Sequence, residues 1–290
     1  MGYVATIGMF DGVHRGHQFV LSQVVNHARE RGLLSMAITL DRGAGGEDRM
    51  LTSKEAKLAL LSKMGVDRVE VLPFTDVLRQ MTAREFMQRV LKEQLNVKVL
   101  LTGYDNRFGH NREEGFDDYV RYGRELGIEV LQLPVGPPNV SSSLIRKQVA
   151  EGHVAEANEN LGYPYTIMGR VVHGEHIGSQ LGFPTANLEL DDDRQLIPAA
   201  GVYAVKVRME DGGEWKHGMM NIGTRPTFSG RKTTLEVHVF RLHDDLYGRL
   251  LQVAFVDRLR SEQQFDDAEA LKQQLQKDAE AAEEKLLKER

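Results

Sequence analysis

At 290 residues with 41% hydrophobic content, the chain is long enough for two domains with sizeable cores; 37 basic against 42 acidic residues leave a net charge of −5, with no basic block suited to a nucleic-acid backbone. No residue is cysteine, which excludes disulfides, zinc–thiolate centres and thiol catalysis. The N-terminus carries no charged-then-apolar leader and no apolar run approaches the roughly 18 residues of a membrane span, so the expectation is a soluble cytoplasmic protein whose partners include neither nucleic acid nor membrane.

In chain order, "YVATIG" (3–8) predicts a buried strand closed by glycine. "HQFVLSQVVNHARERG" predicts a helix with Phe19, Val20, Val24 and Ala28 on one stripe and Gly32 as its C-cap. "LLSMAITL" is a second strand. The alternation continues through helix "SKEAKLALLSKMG", strand "VDRVEVLPF", helix "AREFMQRVLKEQL", strand "VKVLLTG", helix "DDYVRYGRELG" and strand "IEVLQLPV", with "SSSLIRKQVAEG" opening a further helix. Strands alternating with helices define a doubly wound, Rossmann-like α/β domain whose ligands bind beyond the C-terminal strand ends. From "YTIMGRVVHG" onward the strands follow one another with turn-rich loops between them, as in an antiparallel β-barrel. "NENLGYPY", with Gly162 and Pro164, marks the change, giving domains 1–160 and 161–290. The last stretch places Phe265, Ala268, Leu271 and Leu275 on one side of a C-terminal amphipathic helix, increasingly polar toward its end, whose stripe packs on the barrel.

Between the first strand and the first helix stands "GMFDGVHRGHQFVL". Three readings fit His14 and His17. Three apart, they could share a helix face and hold a metal, although no third ligand is marked nearby. They could pack or cap. Or they could serve an anion: a helix start offers free N–H groups and a positive dipole end, imidazole N–H groups add directed donors, and Gly16 lets a phosphate approach the backbone. No GxxxxGK[ST] is present, so a nucleotide site here would not be a P-loop.

The stretch resembles the HxGH signature of the nucleotidylyltransferase superfamily in the longer form GxFDGxHxGH typical of FAD synthetases. "LTGYDNRFGHNREEG" resembles that family's GxDFxFG segment, and "VSSSLIR" (140–146) its SSTxIR motif. The resemblance implies that His14 and His17 meet the nucleotide phosphates as catalytic groups. It also implies that Gly8, Phe10, Asp11, Gly16, Asp105, Ser141, Ser142 and Arg146 bind nucleotide. Read locally, Ser141 and Ser142 could instead cap a helix, and Asp105 could shape a turn. The family's F-x-PHP segment has no counterpart in "TLDRGAGGEDRMLTS".

In the second half, "LGFPTANLEL" can place the oxygens of Thr185 and Asn187 on one rigid turn, suited to a hydrated magnesium ion, or can simply form a hydrogen-bonded turn. "LEVHVF" puts Leu235, Val237 and Val239 on one strand face and Glu236, His238 and Phe240 on the other, where Glu236 could accept a hydroxyl proton or merely be solvated. GxVVxGxxxGxxLGFPTAN, "GVYAV", "NIGTRPTF", "LEVHVF", "LYG" and the late "LR" together resemble riboflavin kinase. Behind an HxGH domain they resemble the bacterial bifunctional riboflavin kinase/FAD synthetases over nearly the whole chain. The resemblance implies Glu236 as catalytic base, Thr185 and Asn187 serving Mg2+, Gly182 and Asn187 meeting ATP, and riboflavin, FMN and ATP as substrates. Ile177, Gly178 and Ser179 stand where that family has Arg-Gly-Arg. A kinase lacking the adenylyl-transfer step and a flavin sensor without chemistry are the alternatives; a base and transition-state donors would be superfluous in a sensor.

Overall fold

The first half of the chain forms, in a computed structural model, a parallel sheet of five strands: β1 (Tyr3–Gly8), β2 (Leu34–Asp41), β3 (Arg68–Pro73), β4 (Val97–Thr102) and β5 (Glu129–Gln132), in the order β3-β2-β1-β4-β5. The structure describes all residues except 42–48, 104–106, 111–112, 135–139, 175–177, 179–180, 211, 228–229, 243 and 289–290, and leaves the side chains of 225–227 and 230–232 undescribed. The sequence predicts each of these strands. β1 is central and buried on both faces. Val4 packs with Val24 and Ala28 of α1 (Arg15–Arg31), whereas Ala5 and Ile7 face the opposite way, toward Phe86 of α4 (Ala83–Phe86), Met87 and Leu91 just beyond it, and Tyr119 of α5 (Phe116–Leu126). Helices therefore cover both faces, which is why the β1 residues read as a continuous apolar run rather than an alternating one. Between these helices lie α2 (Lys54–Lys63) and α3 (Asp76–Gln80).

The strand order reverses at β1, with β2 and β3 to one side and β4 and β5 to the other. Such a switch point opens a crevice at the carboxyl ends of its two central strands. The histidine motif leaves β1 at that end. α1 closes at Gly32, whose φ of 62° is the left-handed cap expected of it. Its fully buried positions are Leu21, Val24 and Ala28, with Phe19 and Val20 only half-buried, so the stripe is rotated slightly from the predicted one.

The second half forms a closed six-stranded antiparallel barrel of β6 (Thr166–Val172), β7 (Ala186–Leu190), β8 (Gly201–Met209), β9 (Lys216–Thr227), β10 (Gly230–Val239) and β11 (Leu250–Arg260), in the order β10-β7-β6-β11-β8-β9. By packing, the chain divides into Met1–Arg49 with Ser53–Ser142, and Met50–Thr52 with residues 143–290. Thus α6 (Ser142–Glu151), from its second residue, and α7 (Val154–Leu161) belong with the barrel. Asn158 of α7 donates to the Phe255 carbonyl (2.8 Å) and accepts from the Tyr165 N–H (2.6 Å).

The C-terminal helix, α8 (Ala268–Lys288), lies on β8, β9 and β11. Arg260 of β11 holds it by a forked pair with the buried Asp278, Nε to Oδ1 at 2.9 Å and Nη2 to Oδ2 at 2.7 Å. The predicted polar trend toward the helix end conceals its deepest contacts, since Ala282 and Leu286 pack on Ala204, Met219 and Val256. Leu275 packs at the edge of the same cluster, as the predicted stripe has it, and with Leu271 also borders a cavity.

Candidate functional site

Beyond β1 the backbone makes an unusual turn. Phe10 has φ 50° and ψ 31°, and Val13 has φ 33°, both left-handed values for residues with a Cβ. Gly12 supplies the remaining positive φ, 77°. His14 then becomes the N-cap of α1: extended in backbone, it accepts the His17 N–H on Nδ1 at 3.4 Å. The ring proton of His14 must then sit on Nε2, so this neutral imidazole keeps one N–H donor there. The two rings stack with centroids 3.6 Å apart and 19° between planes, and Phe10 meets the His17 ring edge-on at 5.2 Å.

Burial drives the His14 pKa down to about 4, and desolvation reinforced by its neighbour His14 drives the His17 pKa well below 6.5. Both rings are therefore neutral donors near neutral pH. His17 Nδ1 is fully shielded and finds no hydrogen-bond partner among the described residues. A Cβ at Gly16 would stand 3.2 Å from His14 Nδ1 and Cε1, close enough to press on the ring. A Cβ at Gly8 would press on the Phe10 ring at 3.2 Å. Asp11 is buried, and the Ser142 hydroxyl donates to its carbonyl at 2.9 Å, bringing the serine motif onto the histidine turn. Ser141 is exposed, and Arg146, half-buried, is counted with the second unit; Asp105 lies outside the described residues, as do Ile177, Ser179 and residues 42–48.

The neutral histidines make the first unit acid-sensitive. Because the folded pKa of His14 lies below its ordinary 6.5, the unfolded chain binds more protons between the two values; stability is complete above about pH 6.5 and is lost as pH falls through about 4. That gap corresponds to about 3 kcal/mol from His14 alone. Hydrogen exchange of the β1 and α1 amides should show this loss, and His14→Gln should flatten it; an unchanged slope in the variant would mean that the ring is protonated in the fold.

In the barrel, Glu236 of β10 stands directly opposite Asn187 of β7 on one side and Asn221 of β9 on the other. Directly paired residues share a sheet face, so three polar side chains form a row across three strands. Leu235, Val237 and Val239 are buried on the opposite face, as the alternation predicts. The Glu236 face is not simply solvated. It lines a cavity of about 320 Å³ together with Thr185, Asn221, His238, Arg260 and Phe265, with α8 contributing Leu271 and Leu275.

The loop before β7 folds tightly: the N–H groups of Leu181 and Phe183 both donate to the Gly178 carbonyl, at 3.1 and 2.8 Å. A Cβ at Gly178 would strike the Phe183 carbonyl and come within 3.2 Å of Thr185 Oγ1. Gly178 thus keeps its turn although Arg-Gly-Arg is absent around it. Gly182 takes a φ of 87°, and the Asn187 amide fills the space a Cβ would need at Gly174. His238 clamps the turn, its Nδ1 lying 2.7 Å from the Pro184 carbonyl.

Among the described residues no group of three or more His, Asp or Glu side chains could hold a metal. A hydroxyl and an amide, Thr185 and Asn187, instead suit a hard cation that keeps its waters and is held mainly through substrate phosphates, so the donor set fits magnesium. Sequence reasoning passed over Asn221 and the clamp made by His238. A lone Asn within the apolar strand "GMMNIG" was the available signal for the first.

Matches to known families follow the same division. The family model described as FAD synthetase matches residues 1–143, and that described as riboflavin kinase matches residues 161–286. The first half is thus a nucleotidyl-transfer domain and the second a phosphoryl-transfer domain. A bifunctional riboflavin kinase/FMN adenylyltransferase of Escherichia coli (strain K12) is 38% identical over 286 residues, covering 96% of this chain and 90% of the relative. One from Pseudomonas fluorescens is 40% identical, covering 97% and 92%, and one from Bacillus subtilis (strain 168) is 32% identical, covering 96% and 91%. The chain belongs to the family of bifunctional riboflavin kinase/FMN adenylyltransferases. A solved structure described as a macrolide-efflux protein from Streptococcus pneumoniae shares the fold with a TM-score of 0.88 and 30% identity, covering 97% of this chain and 94% of that one. Among the described residues of the present chain no helix is long and apolar enough to cross a membrane.

Proposed function

We propose that one chain carries out both steps from riboflavin to FAD, at two separate sites. In the barrel, the 5′-hydroxyl of riboflavin gives its proton to Glu236 as its oxygen attacks the γ-phosphorus of ATP, and ADP leaves. Thr185 and Asn187 would hold magnesium, which when bound neutralises phosphate charge. Gly182 and Asn187 meet the nucleotide. In the parallel-sheet domain, a phosphate oxygen of FMN attacks the α-phosphorus of a second ATP, and pyrophosphate leaves. His14 and His17 donate neutral N–H groups to the charge that develops there, and the backbone around Gly8, Phe10, Asp11 and Gly16 receives the phosphates, with Ser141, Ser142, Arg146 and Asp105 as further nucleotide contacts. Adenylyl transfer belongs to 1–160 and phosphorylation to 161–290.

The observation that carries this reading is the paired row Asn187–Glu236–Asn221 across three barrel strands, of which Glu236 and Asn221 line the cavity, together with the neutral histidine pair of the first unit. Neither arrangement contains a protein nucleophile, and both suit catalysis by positioning and directed donors. Incubation with riboflavin, ATP and magnesium, followed by chromatographic separation of the flavins, tests it: FMN and then FAD are expected. FMN without FAD would leave a kinase alone, and unchanged riboflavin would overturn the reading.

His238 supplies a further test within the barrel. The Pro184 carbonyl can only accept, so Nδ1 must carry the proton, and this bond fixes the turn on which Thr185 sits. His238→Leu should raise the Michaelis constant for ATP in riboflavin phosphorylation about 5-fold, the worth of one such bond. His238→Asn, whose amide N–H reaches a similar position, should restore it. Equal constants in the Leu variant and the native chain would mean that the turn holds without the clamp.

A further inference from the structure

We propose that Lys57 is a positioning residue for adenylyl transfer, holding from behind the strained turn that aims the histidine pair. The proposal rests on the role given above to His14. Lys57 stands on α2 one turn before Leu61, where an apolar side chain would be expected, and only 6% of it is exposed. A methionine would fill that space without the cost of burying a charge. The ammonium therefore calls for an account.

Lys57 Nζ donates to the Met9 carbonyl at 3.4 Å. The hydroxyl of Thr39, fully buried on β2 opposite Gly8, donates to the same oxygen at 3.2 Å. That carbonyl belongs to the peptide leading into Phe10, so fixing it fixes the plane from which the left-handed turn departs. Phe10 and the β-branched Val13 each hold conformations that cost about 1–3 kcal/mol and persist only when the surroundings over-determine them. Further along the turn, Gln18 Nε2 donates to the Val13 carbonyl at 2.9 Å, and Ser142 holds the Asp11 carbonyl.

The line of action is short. Phe10 abuts the His17 ring, and His17 stacks on His14. Burial opposes the charge most, and Lys54, which pairs with Asp41 at 2.6 Å, opposes it too, while the carboxylates of Asp11 and Asp41 favour it. Lys57 thus keeps a charge-assisted bond on a carbonyl that a neutral side chain of similar volume would leave to Thr39 alone.

In the full chain, Lys57→Met should lower the kcat for FAD formation from FMN about 10- to 100-fold, as expected when donors are misplaced by about 1 Å. The Michaelis constants should hardly change, and riboflavin phosphorylation by the same molecules should be native, reporting on the folded barrel. In a His14→Ala background, Lys57→Met should cost several-fold less than it does in the native chain, because only His17 is left for it to position. Thr39→Val should give a smaller loss that is less than additive with Lys57→Met, since both act on one carbonyl. A native kcat in Lys57→Met, or its full penalty repeated in the His14→Ala background, would overturn the proposal. If the methionine variant unfolds in its first unit, Lys57→Gln decides: its amide can still donate to the carbonyl, and a loss there as large as in the His14→Ala variant would also overturn it. If His14→Ala itself makes FAD at the native rate, the reading of the site fails; if His14→Ala is impaired and Lys57→Met is not, the inference alone fails.

Discussion

Glu236→Gln is expected to cut riboflavin phosphorylation by about 10²- to 10⁴-fold, the usual cost of losing a general base, while FAD formation from supplied FMN continues at the native rate. The substitution keeps shape and length. The ladder that pairs Glu236 with Asn187 and Asn221 is a backbone feature, so it survives, and the apolar face of Leu235, Val237 and Val239 is untouched. Only the capacity to accept a proton is removed. The effect should fall on kcat and on kcat/KM together, because proton transfer belongs to the transition state. Flavin chromatography of timed reactions, started from riboflavin in one series and from FMN in another, reads both steps in one molecule. Near-native phosphorylation in the variant would show that the hydroxyl proton goes elsewhere.

The alternation around Glu236 was legible because a period of two is read directly from residues 235–240, and its burial pattern follows. What the carboxylate faces was not legible. Its neighbours Asn187 and Asn221 come from strands 49 and 15 residues away in sequence, and register across a barrel depends on turns and closure that no local pattern encodes. α8 illustrates the same limit. Of its predicted stripe from Phe265 to Leu275, Leu275 packs at the edge of the barrel cluster while Phe265, Leu271 and Leu275 also border the cavity, and Ala282 and Leu286, beyond the stripe, lie deeper on the barrel. Local composition calls the helix end polar, while packing is decided by the strand face beneath it.

One further helix opened by "SSSLIRKQVAEG" and ended by Gly162, which has a φ of 82°, was equally clear, but its break into α6 and α7 at Gly152, with a φ of 83°, was not predicted. Which neighbour they pack on is a tertiary question: the hydrogen bonds of Asn158 to Phe255 and Tyr165 tie α7 to the barrel, and Asn carries no signal of that in sequence. Lys57 is the opposite case. A lysine four residues from a core leucine breaks the apolar stripe of α2, and such a local inconsistency is where a functional demand tends to override packing.

The second large effect is expected at the histidine pair. His14→Ala combined with His17→Ala should abolish FAD formation in practice and leave FMN as the accumulating product, since loss of even one directed donor can cost about 10²- to 10³-fold. Riboflavin phosphorylation should be native. Two consequences of the substitution must be separated, because His14 also caps α1 by accepting the His17 N–H, and loss of a cap costs about 1 kcal/mol. His14→Ser keeps a capping oxygen at the helix start but carries no imidazole N–H. If donation is what matters, the serine variant should recover stability and stay as deficient in FAD formation as the alanine variant. The neutral charge state sharpens the expectation: both histidines titrate well below neutrality, so the loss should be nearly the same at pH 6.5 and pH 8, whereas a mechanism requiring imidazolium would make the native enzyme itself fail at the higher pH. A folded double variant that still forms FAD at the native rate would reduce the motif to a helix start, and adenylyl transfer would have to be sought away from the β1 switch point.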